Sequence, residues 1–90
     1  MLIVDDEMYS RMGIRQFIVR NLPEYKIAGE ASDGFKAIEF CKLNKVDIVI
    51  TDIRMPKIDG IELAEHLGEI MPKVQVIIIT GFSLFEYAQK

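Results

Sequence analysis

The stretch Asp47-Ile48-Val49-Ile50-Thr51-Asp52 constrains this chain more than any other. It is an apolar run that begins and ends in aspartate. Three consecutive β-branched aliphatics between polar residues predict a short strand buried on both faces, as in a parallel sheet. Such a strand delivers its last residue to the carboxyl edge of the sheet, where ligands bind in open α/β folds. Asp52 is that residue. A carboxylate there is costly to keep dry, so it is expected to be solvated, paired or bound to a cation.

From the start of the chain, Leu2 to Val4 predict a second buried strand, and Asp5-Asp6-Glu7 follow at once. Met8 to Asn21 reads as a helix with an apolar stripe of Met8, Met12, Ile14, Phe17 and Ile18, capped by Ser10 or a preceding acid and stopped by Pro23. Tyr25 to Ser32 reads as a weaker strand, Asp33-Gly34 as a turn, and Phe35 to Leu43 as a short helix turning Ala37, Ile38 and Cys41 inward. After the central strand, Ile53 to Gly60 holds Pro56 and Asp59-Gly60 and reads as a loop. Ile61, Leu63, Ala64, Leu67 and Ile70 give the next helix its apolar face, and Pro72 ends it. Val74 to Ile79 is a fourth apolar strand ending at Thr80-Gly81, and Phe82 to Lys90 begins another helix. This β-α alternation predicts a doubly wound parallel sheet with helices on both faces and right-handed crossovers.

Bulk properties exclude several classes. Ninety residues allow one domain, and a net charge of −3 leaves no basic footprint for nucleic acid. The lone cysteine, Cys41, forbids an internal disulfide and suits a reducing compartment. No apolar run reaches the ~20 residues of a membrane helix, and no basic leader precedes Leu2, so the expected location is the cytoplasm.

In a parallel sheet the strand ends carrying Asp5 and Asp6, Asp52, and Thr80 lie on one edge. Carboxylates converging there repel one another, and a hard divalent cation relieves the repulsion. Mg²⁺ suits such a donor set and bridges naturally to phosphate. An aspartate held beside it with a free oxygen is a nucleophile for phosphorus. The Thr80 hydroxyl and the Gly81 amide are then expected to hydrogen-bond the phosphoryl group. Asp59 reads as a turn or cap residue, and His66 as a surface residue.

Three motifs, Leu2 to Glu7, Asp47 to Pro56 with Asp59-Gly60, and Ile77 to Gly81, resemble the receiver domain of bacterial two-component response regulators. The resemblance spans nearly the whole chain. It implies a flavodoxin-like (CheY-like) sheet, phosphorylation of Asp52 by a sensor histidine kinase, and a requirement for Mg²⁺. By motif position, Asp6, Asp52 and the Arg54 carbonyl would ligate the metal directly, and Asp5 mostly through water. Thr80 would be the switch hydroxyl, with Gly81 beside it. Arg54 and Phe82 would tune the phosphoaspartate lifetime. The run from Thr80 to Ala88 looks like regulators carrying a helix-turn-helix output domain of the AraC type. The resemblance makes the chain a signalling phosphoacceptor and not an enzyme.

The family has five strands and five helices, so residues 1–90 are expected to be a receiver domain in strand order 2-1-3-4, lacking the fifth strand and helix. The lysine at the end of that strand is then absent, since Lys90 is not at a strand end. An uncovered apolar fourth strand is a pairing hazard, so a homodimer by edge pairing or exchange is expected. The alternatives are a Mg²⁺-dependent phosphohydrolase with an aspartate nucleophile and an interaction module that is never phosphorylated. The first needs a second acid two residues after the nucleophile, where this chain has Arg54.

Overall fold

The structure, a computed structural model, describes residues 1–79. Its elements are β1 (Leu2–Val4), α1 (Met8–Asn21), β2 (Gly29–Ala31), α2 (Gly34–Leu43), β3 (Ile48–Asp52), α3 (Gly60–Ile70) and β4 (Gln75–Ile79). The strands form one parallel sheet in the order β2-β1-β3-β4. Leu2 lies opposite Gly29 on one side and Val49 on the other, and Asp52 lies opposite Ile79. The expected order 2-1-3-4 is the observed one.

Alternation along the strands divides the core into two layers. Leu2, Val4 and Val49 face Ala37, Ile38 and Cys41 of α2 and Leu63 and Leu67 of α3. Ile3, Ile50 and Ile79 face Ile14 and Ile18 of α1. Burying each Val, Leu or Ile side chain among these contributes about 1.5–3 kcal/mol, which favours the central places of β1 and β3 in the sheet.

The helix starts use local acids. The Asp33 carboxylate accepts from the Lys36 N–H at 2.8 Å and caps α2. Asp59 and Glu62 form a reciprocal capping box on α3: the Glu62 N–H donates to Asp59 at 2.8 Å and the Asp59 N–H donates to Glu62 at 2.9 Å. At α1 the expectation fails. Glu7 occupies the cap position without a side-chain hydrogen bond, and Ser10 is a buried residue of the first turn.

Other expectations are corrected in detail. Met8 and Met12 point outward, because the face of α1 that meets the sheet runs through Ser10, Ile14 and Ile18. Ile61 and Ile70 are also exposed, while Leu63 and Leu67 carry the buried face of α3. The strand expected over Tyr25 to Ser32 contracts to Gly29–Ala31. Its earlier part makes turn and edge bonds instead, such as Ala28 N–H to the Met1 carbonyl at 2.7 Å. Val74 precedes β4 and donates to the Met71 carbonyl. Thr80, Gly81 and the expected helix from Phe82 to Lys90 lie outside the described residues.

Candidate metal centre and acceptor aspartate

β1 and β3 are adjacent and parallel, so their carboxyl ends meet at one edge. Asp52 is the last residue of β3, and Asp5 and Asp6 follow β1 directly. One carboxylate oxygen from each of the three lies within 4.8 Å of the others. Asp5 and Asp52 are buried, at 2% and 8% exposure, whereas Asp6 is exposed.

The backbone around Asp5 is fully engaged. Its N–H donates to the Ala31 carbonyl of β2 at 3.1 Å. Its Oδ1 accepts from the Glu7 N–H at 2.9 Å. Burial lifts the Asp5 carboxyl above its ordinary value; the Glu7 amide opposes this, the Asp52 charge adds to it, the Ser10 hydroxyl opposes it, and the Asp6 charge adds again.

Asp52 is held through its backbone. The buried Thr51 hydroxyl donates to the Asp52 carbonyl at 2.9 Å. Behind that carbonyl sits Gly60, the first residue of α3, where a Cβ would come within 2.4 Å of the oxygen. The Gly60 N–H donates to the Ile53 carbonyl at 2.8 Å, and the Ile53 N–H donates to the Ile79 carbonyl of β4 at 2.8 Å. The loop after Asp52 is therefore tied to both neighbouring elements. Within it Arg54 is exposed and lines an open cleft with Met55, Pro56 and Asp59. Lys57 adopts a positive φ of 73° and lies 4.0 Å from the Asp33 carboxylate.

The structure thus brings Asp5, Asp6 and Asp52 together, with Arg54 in the loop that follows. Asp59 serves as a helix cap, and His66 is exposed on α3. Two carboxylates withdrawn from water beside a third repel strongly, and an all-oxygen donor set of this kind fits a hard divalent cation. Sequence reasoning missed Arg11 and Glu30. Arg11 donates from Nη1 to the Asp5 carbonyl at 2.7 Å and from Nε to Glu30 at 3.2 Å. It also misassigned Ser10, although its four-residue spacing from Ile14 placed it on the buried stripe.

Residues 1–90 match the response regulator receiver domain family over the whole chain. The chain belongs to that family. The receiver is 36% identical over 89 residues to the transcriptional regulatory protein YesN of Bacillus subtilis (strain 168), covering 99% of the receiver and 24% of YesN. It is 38% identical over 79 residues to the response regulator UvrY of Escherichia coli (strain K12), covering 88% and 36% of the two chains. It therefore spans well under half the length of these curated relatives. Among solved structures, the REC domain of AraT, a response regulator from Geobacillus stearothermophilus, superposes with a TM-score of 0.79 at 40% identity, over 98% of the receiver and 68% of that chain. RcsB of Salmonella enterica serovar Typhimurium, bound to promoter rprA in the presence of phosphomimetic BeF3⁻, gives a TM-score of 0.79 at 27% identity, over 88% and 40% of the chains. The receiver has the CheY-like sheet of these neighbours, in the order β2-β1-β3-β4. Receiver domains are signalling modules, and homologues of this one are transcriptional regulators. Among the described residues, no helix is long and apolar enough to cross a membrane.

Proposed function

We propose that the receiver accepts a phosphoryl group on Asp52 from a sensor histidine kinase and so switches the output of a longer transcriptional regulator. The observation that carries this reading is the convergence of Asp5, Asp6 and Asp52 within 4.8 Å at the carboxyl edge of the sheet. The carboxylates of Asp6 and Asp52 and the carbonyl of Arg54 would hold Mg²⁺, with Asp5 acting mostly through water. When bound, the ion supplies charge neutralisation for phosphoryl oxygens.

The protein's own groups do the rest. Asp52 ends a buried strand whose backbone is fixed by Thr51, Ile53 and Gly60, so its carboxylate is presented in a set direction. A carboxylate oxygen of Asp52 bonds to phosphorus as the donor's P–N bond breaks, and the electron pair stays with the departing imidazole nitrogen. Thr80 and Gly81 would then donate to the new phosphoryl oxygens and report its presence. The relatives, among them a transcriptional regulatory protein and a promoter-bound RcsB, support a DNA-binding output elsewhere in the protein. On this reading residues 1–90 hold the first four strands of the receiver, and a fifth strand and helix would complete it. The expected location is the cytoplasm.

The test is mass spectrometry of the full-length protein after incubation with acetyl phosphate. The expected result is a gain of one phosphoryl group that requires Mg²⁺ and disappears in Asp52→Asn. A gain that persists in that variant, or no gain in the parent, would overturn the assignment. Turnover of small phosphate esters would point instead to the phosphohydrolase.

A further inference from the structure

The corner between β1 and α1 is held by groups that the metal reading leaves unused. Arg11, in the first turn of α1, donates from Nη1 to the Asp5 carbonyl at 2.7 Å. Its Nε donates to Glu30 Oε1 at 3.2 Å, and the other Glu30 oxygen accepts from Arg15 Nη1 at 3.0 Å. Arg11 is the more withdrawn of the two arginines, with its side chain 17% exposed against 48% for Arg15. The Asp5 carbonyl and the Asp6 N–H belong to one planar peptide unit. Holding that carbonyl therefore fixes the plane from which Asp6 departs. Asp6 is exposed, so packing does not set its direction. The guanidinium fork can serve the carbonyl and Glu30 together, which a point ammonium cannot.

We propose that Arg11, oriented by Glu30, is a positioning residue that aims the Asp6 carboxylate at Asp5 and Asp52 and thereby sets the cation affinity of the site. This role rests on the reading of the three aspartates as a Mg²⁺ site. A merely structural ion pair would shift the unfolding midpoint and leave metal affinity alone.

Calorimetric Mg²⁺ titration of the full-length protein, well below its unfolding temperature, separates the two. Arg11→Gln weakens Mg²⁺ binding about tenfold, the scale seen when a group supporting a ligand is removed. Arg11→Lys keeps the charge and the stem, so it keeps the fold, and falls between parent and Gln variant. Adding Glu30→Gln to Arg11→Gln costs little more, because the two act on one bond. In the metal-free protein, Arg11→Gln speeds amide hydrogen exchange at Asp6 and Glu7 but not at Val49 or Ile50. The proposal is overturned if both Arg11 variants bind Mg²⁺ within about twofold of the parent, with unchanged exchange at Asp6, while Asp6→Asn loses binding. If Asp6→Asn binds as the parent does, the metal reading fails first, and the role of Arg11 with it.

Discussion

Asp5 is buried beside two other carboxylates, and its ionised form is disfavoured for that reason. The folded-state value lies above the ordinary 3.8, so the native protein binds more protons than the unfolded chain just above that pH. This contribution to stability is present in acid and is lost as pH rises through the raised value. In chelator, Asp5→Asn should show a flatter stability profile across that window than the parent, in urea titrations at a series of pH values. Added Mg²⁺ should restore stability to the parent near neutral pH and do less for the variant. A parent whose stability rises steadily through the same window would contradict this. Gly60 is a second single-residue constraint. A Cβ there meets the Asp52 carbonyl oxygen at 2.4 Å and the Ile53 Cα at 3.0 Å, and neither backbone atom can rotate away. Gly60→Ala should cost about 1–3 kcal/mol in chemical denaturation and lower the rate at which Asp52 is modified.

At the scale of elements, α3 contains both kinds of glycine. Gly68 has nothing within 4 Å of its would-be Cβ, so Gly68→Ala should stabilise the fold by about 0.5–1 kcal/mol through helix propensity alone. A loss measured by thermal or urea unfolding would refute that. Element identity was legible where periodicity and caps agreed: α1 runs from Met8 to Asn21 as its sequence indicates, and β3 ends at Asp52. The inward face of α1 was not legible from hydrophobicity. Met8 and Met12 look like core residues, but Ser10 takes the buried position and contributes its hydroxyl to Asp5. The weak strand shrank because Ile27 and Ala28 precede the short stretch in register with β1. The aspartates at the site were legible because parallel strands force their carboxyl ends together. Arg11 and Glu30 were not, since their partnership links α1 to β2 and depends on three-dimensional closeness that no local pattern encodes.

Across the whole molecule, β2 and β4 are the two edges of the sheet formed by the described residues. From Gln75 to Ile78, β4 alternates exposed and half-buried positions before the buried Ile79, and Ile77 is 47% exposed. An apolar strand in that state favours pairing, so the 90-residue chain should sediment as a dimer at micromolar concentration. Ile77→Lys should shift it toward monomer; a parent that is a compact monomer would remove the basis for edge pairing. The position of β1 has a different consequence. It lies between β2 and β3, and Leu2 is matched to Val49, more than half of the described chain away. During synthesis β1 leaves the ribosome well before β3 and has to wait for that partner. Distant pairings of this kind slow the search for the native state. The acidic corner after β1 is thus written early, yet it acquires its shape only when the third strand arrives.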